Sequence, residues 1–136
     1  MGIVITSATP DEVRAELTIG PQHLQPYGVV HGGVYCGLIE TLASIGAALV
    51  ALPRGQSVVG LENNTSFIRA VRAGTKLHAV CRPVTRGRKT QVWEANVLDE
   101  QERIVATGRV RLLCLEKDDA LAGEQVKTPL YPPGGS

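Results

Sequence analysis

The residues best suited to chemistry lie between Gln25 and Ser44. Glu40 stands in an apolar run, with Ile39 before it and Leu42 soon after. A carboxylate in such surroundings loses solvation energy unless it has a partner or a task. It can act as a general base on water or as a nucleophile. Upstream, Gly32 and Gly33 offer backbone N–H groups at what reads as the first turn of a helix. That end of a helix stabilises negative charge. A carbonyl oxygen that becomes an oxyanion, as in thioester hydrolysis, suits such donors. Ser44 lies one turn beyond Glu40 on the same face, where it can hold a water or orient the carboxylate. Gln25, in the loop entering the helix, can donate to a substrate carbonyl, and His31 can do the same or bind substrate. Each has a plain structural alternative. Glu40 can pair with a histidine or arginine, the glycines can serve close packing, Ser44 can bond backbone, and Gln25 can face water.

The spacing sets a geometric condition. Gly32 and Glu40 lie about 12 Å apart along a helix axis. One substrate carbon cannot touch both within one chain. A joint site requires Gly32 from one subunit and Glu40 from another, on antiparallel helices, so the spacing itself argues for an oligomer.

A second set of residues is basic. Arg82, Arg86, Arg88 and Lys89 surround Gly87, and Arg69 and Arg72 lie near another turn. Either cluster can grip the phosphates of a ligand such as coenzyme A, or simply be solvated. Asn63, Asn64, Thr65 and Ser66 are polar where a strand should be apolar, and either line a pocket or face water. His23 and His78 read as surface or strand-face residues, and the three histidines have no metal-binding spacing. There is no phosphate-binding glycine loop of the nucleotide kinds, and Ser44 lacks the setting of a hydrolase elbow. No cofactor is expected.

These residues need elements to position them. Val34, Leu38, Leu42, Ile45 and Leu49 recur at helical spacing and predict one long helix, from about Val30 to Leu52, ended by Pro53-Arg54-Gly55. Gly2–Thr9 and Asp11–Ile19 predict a hairpin turning at Pro10-Asp11, with Val13, Ala15, Leu17 and Ile19 inward. Segments 57–68, 75–84, 90–98 and 104–115 read as further strands joined by short turns, an antiparallel pattern. The fold class is therefore α+β: five or six strands around a single helix, with an outer face and edges that self-association would cover. Residues 1–116 form the domain, and 117–136 are expected to be a flexible extension.

Composition narrows the function classes. The chain has 136 residues, enough for one domain with a core of its own. Fourteen basic and thirteen acidic residues nearly cancel, which gives no support for nucleic-acid or membrane steering. Cys36, Cys81 and Cys114 sit in apolar runs and read as buried free thiols of a reducing compartment. The N-terminus lacks a signal-peptide pattern, and the helix, with Glu40 and two leading glycines, is not expected to span a membrane. A cytoplasmic location follows as an expectation.

The same residues carry a family likeness. His31-Gly32-Gly33 followed by Glu40 resembles the motif of the hotdog-fold acyl-CoA thioesterases, and the closest branch is the 4-hydroxybenzoyl-CoA and phenylacetate-degradation type. Asn64-x-x-Phe67-x-Arg69, Gly74 and Gly87-Arg88 fit as well, so the likeness covers about residues 10–115. It implies a hotdog fold, one long helix wrapped by a curved antiparallel sheet, in dimers that often pair into tetramers. It implies metal-free hydrolysis of an acyl-CoA. Carried over by position, Glu40 is the nucleophile or general base, and Gly32 supplies the N–H that polarises the thioester carbonyl. Gln25 contacts substrate or water, Ser44 supports the attacking water, and His31 lies near the thioester. Gly33, Asn64, Arg69, Arg82, Arg86, Gly87, Arg88 and Lys89 are the candidates for substrate and coenzyme A contacts. The acidic residue comes from the subunit opposite the glycine. Glutamate rather than aspartate at position 40 favours the hydroxybenzoyl-like branch and an aromatic or short to medium acyl group. A hydratase or dehydratase on the same fold and a non-catalytic acyl-CoA binder are the rivals, and Gln25 in place of a second acid counts against the former.

Overall fold

The computed structural model describes residues 1–121 and 124–125. One helix, α1 (Gly32–Ala51), packs on a six-stranded antiparallel sheet built from β1 (Val4–Ala8), β2 (Val13–Thr18), β3 (Ser57–Phe67), β4 (Lys76–Arg86), β5 (Thr90–Leu98) and β6 (Ile104–Leu115). The spatial order is β1-β2-β4-β5-β6-β3, so the first hairpin lies at one edge and β3 at the other. A two-stranded piece, Ala120–Leu121 with Glu124–Gln125, follows. The rest of the extension expected over 117–136 lies outside the described residues.

The strands form where the alternation predicts. Val13, Ala15 and Leu17 on β2, Leu77, Ala79 and Cys81 on β4, and Trp93, Ala95 and Val97 on β5 are all buried, and the residues between them are charged or polar except the half-buried Val80. These side chains and the helix make one core. Burying a side chain such as Leu77 or Val97 is worth about 1.5–3 kcal/mol, which is what holds the helix to the sheet.

The helix differs from expectation in its buried stripe. Leu38 and Leu42 face the core, but Val34, Ile45 and Leu49 are only half-buried. The inward face runs through Tyr35, Ile39, Ala43, Gly46, Ala47 and Val50. Small residues let the helix settle closely on the sheet: a Cβ at Gly46 would meet the Trp93 ring at 2.5 Å. The chain leaves α1 through a short 3-10 turn, Leu52–Arg54, and reverses at Gly55 with φ 72°, which glycine adopts freely. Gly32–Arg54 contains an 18-residue window with a mean hydropathy of 1.7, long and apolar enough by composition alone to cross a membrane, and half of that window is buried in this fold.

On β3, a bulge between Gly60 and Glu62 shifts the alternation by one residue. Val58 packs on the core before it, and Asn63 and Thr65 turn toward the helix after it. The mixed polarity of this strand follows from that shift.

Candidate active site

The N-terminus of α1 is capped by His31. Its backbone is extended (φ −68°, ψ 134°), and its Nδ1 accepts the Gly33 N–H at 2.9 Å. Acceptance at Nδ1 leaves the proton of the neutral ring on Nε2, and the residue is exposed. The Val34 N–H donates to the His31 carbonyl at 2.9 Å. Of the first helical N–H groups, Gly33 and Val34 are therefore satisfied, whereas Gly32 N–H has no acceptor among the described residues. The glycine pair divides its work: one N–H holds the cap and the other is available for an oxyanion.

Gly32 opens onto a cleft of about 240 Å³ lined by Gln25, Val30, Tyr35, Phe67, Ile68 and Arg69, among others. A Cβ at position 32 would meet the Phe67 ring at 2.5 Å, so glycine is what lets that ring lie over the helix start. Tyr35 and Phe67 stand with ring centroids 6.1 Å apart, tilted by 35°. The Tyr35 hydroxyl is buried with no hydrogen-bond partner among the described residues, and burial pushes its pKa up to about 12. Gln25 is held by a turn in which its N–H donates to Val29 O and its carbonyl accepts Gly28 N–H, both at 2.9 Å. The structure thus brings Gln25, Gly32 and Arg69 together.

Glu40 is half-buried further along the helix, and Ser44 is half-buried one turn beyond it. Glu40 Oε1 accepts from Asn63 Nδ2 at 3.1 Å, and Oε2 lies where a Cβ of Gly60 would be. Neither histidine nor arginine pairs with it among the described residues. About 12 Å of helix separates it from Gly32 within the chain.

The basic turn is placed elsewhere. Arg54, just past α1, donates to the carbonyls of Gly87 and Arg86 at 3.2 Å, which fixes the β4–β5 turn at the far end of the helix. Three of its cations face carboxylates: Arg82 pairs with Glu12 at 2.7 Å, Arg86 with Asp11 at 2.5 Å and Arg88 with Glu116 at 3.0 Å. Lys89 is exposed beside them. The sequence gives no sign of these pairings, because Asp11 and Glu12 belong to the first hairpin and Glu116 follows β6. Arg69, in the cleft, has no ion-pair partner among the described residues. Asn64 is exposed on the opposite face of β3 from Asn63, in a polar depression of about 440 Å³ shared with Glu62 and Arg109.

His23 corrects the sequence reading. It is buried at 3% exposure, not on the surface: its Nδ1 accepts Gly20 N–H at 2.9 Å, its Nε2 meets Met1 O at 2.7 Å, and its carbonyl accepts His31 N–H at 2.9 Å. It supports the loop that feeds the helix. Asn63 was legible only as one of four polar residues on a strand. Among the described residues no three of His, Cys, Asp and Glu converge as metal ligands.

A long helix held in a curved six-stranded antiparallel sheet defines a hotdog fold. Residues 27–106 match the family model described as "Thioesterase superfamily". The Mycobacterium tuberculosis protein named "Putative esterase Rv1847" is 44% identical over 118 residues, covering 85% of this chain and 84% of that one. Its solved structure superposes with a TM-score of 0.82 at 43% identity, over 85% of this chain and 92% of that chain. The solved structure of thioesterase HI1161 from Haemophilus influenzae gives a TM-score of 0.77 at 34% identity, over 84% and 78%. The chain belongs to the thioesterase superfamily.

Proposed function

We propose that this protein hydrolyses an acyl-CoA thioester to the free acid and coenzyme A, as a homodimer in which Glu40 of one subunit serves the Gly32 of the other. The observation that carries the reading is the unpartnered Gly32 N–H beside Gln25, on a helix whose only carboxylate lies too far away to share a substrate with it. Gly32 N–H and the Gln25 amide hold the thioester oxygen and the negative charge that develops on it. Glu40 takes a proton from water while the resulting hydroxide adds to the carbonyl carbon, or attacks that carbon itself to give an anhydride that water then opens. The C–S bond breaks and the coenzyme A sulfur leaves, taking up a proton. Ser44 is positioned to hold the attacking water.

The edge strand supports the assembly. β3 is eleven residues long, is paired on one side only, and carries exposed Leu61 and Phe67, with exposed Ile68 immediately after it. A long apolar edge of this kind invites a second copy. Antiparallel pairing of two β3 strands sets the helices side by side in opposite directions, and two such dimers can form a tetramer. The Tyr35–Phe67 pair at the cleft and a glutamate at position 40 favour an aromatic or short to medium acyl group of the 4-hydroxybenzoyl-CoA type. Arg69 is the cation best placed for coenzyme A phosphates; Arg82, Arg86 and Arg88 would first have to leave their carboxylates. The free thiols of Cys36, Cys81 and Cys114 support a cytoplasmic location.

Steady-state hydrolysis of an acyl-CoA panel by the wild type, E40A and E40Q tests the reading. Loss of turnover with coenzyme A binding retained supports a thioesterase. Equal turnover in all three proteins rejects it, and binding without turnover in the wild type favours a non-catalytic acyl-CoA binder. Water addition across an enoyl-CoA double bond by the wild type would instead mark a hydratase.

A further inference from the structure

The geometry points to Asn63 as the residue that positions Glu40 for catalysis, an inference that rests on the role proposed for Glu40. Asn63 is on β3, and asparagine is depleted in strands because its amide packs poorly on a pleated surface. The bulge between Gly60 and Glu62 turns this one toward the helix. Its Nδ2 donates to Glu40 Oε1 at 3.1 Å and to the Cys36 carbonyl at 3.0 Å. Cys36 lies one helical turn before Glu40, so a single amide nitrogen ties the carboxylate back to its own helix.

The amide orientation is dictated by chemistry. A carboxylate and a carbonyl can only accept, so both must face the nitrogen. The amide oxygen is then engaged by the Thr65 hydroxyl, which donates to Asn63 Oδ1 at 2.6 Å. Turning the amide over would set its oxygen against two acceptors and lose both bonds to the helix. Two glycines make room for this arrangement. A Cβ at Gly108, opposite Thr65 on β6, would meet the Thr65 hydroxyl at 2.6 Å, and one at Gly60 would occupy the place of Glu40 Oε2. Glu40 therefore has one oxygen held by a fixed donor and the other free of any donor among the described residues. Asn63 sets the direction in which that second oxygen presents its lone pairs, and Thr65 acts through Asn63. Asn63 is a positioning residue and touches no reacting atom.

The test uses the full chain. N63L keeps the size and removes the donor; N63D also keeps the size and sets a second carboxylate against Glu40, and it carries the same comparison if N63L fails to fold. A hydrogen bond to a charged group of this kind corresponds to a fall in kcat of about ten- to a hundredfold, with KM within about twofold and the urea midpoint retained. In the E40Q background the N63L change should slow the residual rate no further. T65V should lower kcat by less than N63L, T65S should restore the wild-type rate, and N63L/T65V should match N63L. Turnover lost in E40Q but kept in N63L and N63D overturns this inference alone. So does an equal loss from N63L with and without Glu40. Turnover kept in E40Q overturns the thioesterase reading and this inference with it.

Discussion

Two polar side chains contact helix α1 from the sheet side or sit on its flank, and they are treated in opposite ways. Gln91 on β5 is fully enclosed. Its Nε2 donates to Ala47 O at 3.1 Å, and its Oε1 accepts the Trp93 indole N–H at 2.9 Å. Both ends of the amide are occupied within the core, so the group ties the helix to the sheet. Glu40 is half-buried, receives one donor on one oxygen, and keeps the other free. A closed polar network rigidifies; an open one of the same size can bind or react. The proposed catalytic role of Glu40 rests on this difference.

Exchanging the measurements made on the two groups should break or sharpen the contrast. The largest effect falls on Glu40: E40Q should lower kcat by about 10²–10⁴-fold while leaving the unfolding midpoint nearly unchanged. Q91A should do the reverse. It leaves the Trp93 N–H buried without an acceptor, so it should cost about 1–3 kcal/mol in urea unfolding with kcat close to wild type. Equal losses of activity and stability in both variants would erase the distinction.

A pair of glycines extends the comparison. G46A drives a methyl into the enclosed Trp93 ring and should destabilise by about 1–3 kcal/mol through overpacking, read as a lower melting temperature. G60A meets only the end of the Glu40 side chain, which can swing aside. It should leave the melting temperature within a few degrees and lower kcat, because the carboxylate loses its direction.

A smaller, pH-dependent effect belongs to the β5–β6 turn. Asp99 is 6% exposed, and burial alone would raise its pKa. The Arg103 backbone N–H and guanidinium, with the Gln101 N–H, outweigh burial and hold the carboxyl below its ordinary value. A carboxyl depressed in the folded state stabilises the protein above its unfolded pKa of about 3.9, and that contribution is lost as pH falls through the lower folded value. Stability measured from pH 7 down through the unfolded pKa should fall less steeply with acid in D99N than in wild type. Identical slopes would remove Asp99 from the account.

Much of the fold was legible because β2, β4 and β5 are buried on one face only, so that alternation survives in the sequence. The end of α1 at Leu52–Gly55 was legible for the same local reason, a proline and a glycine in the places that stop a helix. The rotation of the helix was not. Ala43, Gly46 and Ala47 are buried because they are small, and a reading by hydrophobic size points instead to Val34, Ile45 and Leu49. In the site, Glu40 announces itself as a charge in an apolar run, but its partner Asn63 depends on a bulge that shifts β3 by one residue. The same limit hid the pairing of Arg82 and Arg86 with Glu12 and Asp11, which lie seventy or more residues away in sequence.

The central claim is that one subunit's Glu40 works with the other subunit's Gly32, and mixed dimers test it most directly. G32P removes the free N–H and suits the backbone at the helix start: His31 is already extended, as a residue before proline must be, and proline is favoured at the first helical position, while its Cβ displaces the Phe67 ring of the same chain. E40Q and G32P homodimers should each be inactive. A heterodimer of the two contains one site with Glu40 from the G32P chain and Gly32 from the E40Q chain, and it should recover about half the wild-type turnover per dimer. A heterodimer that forms and stays as inactive as its parents would contradict the account.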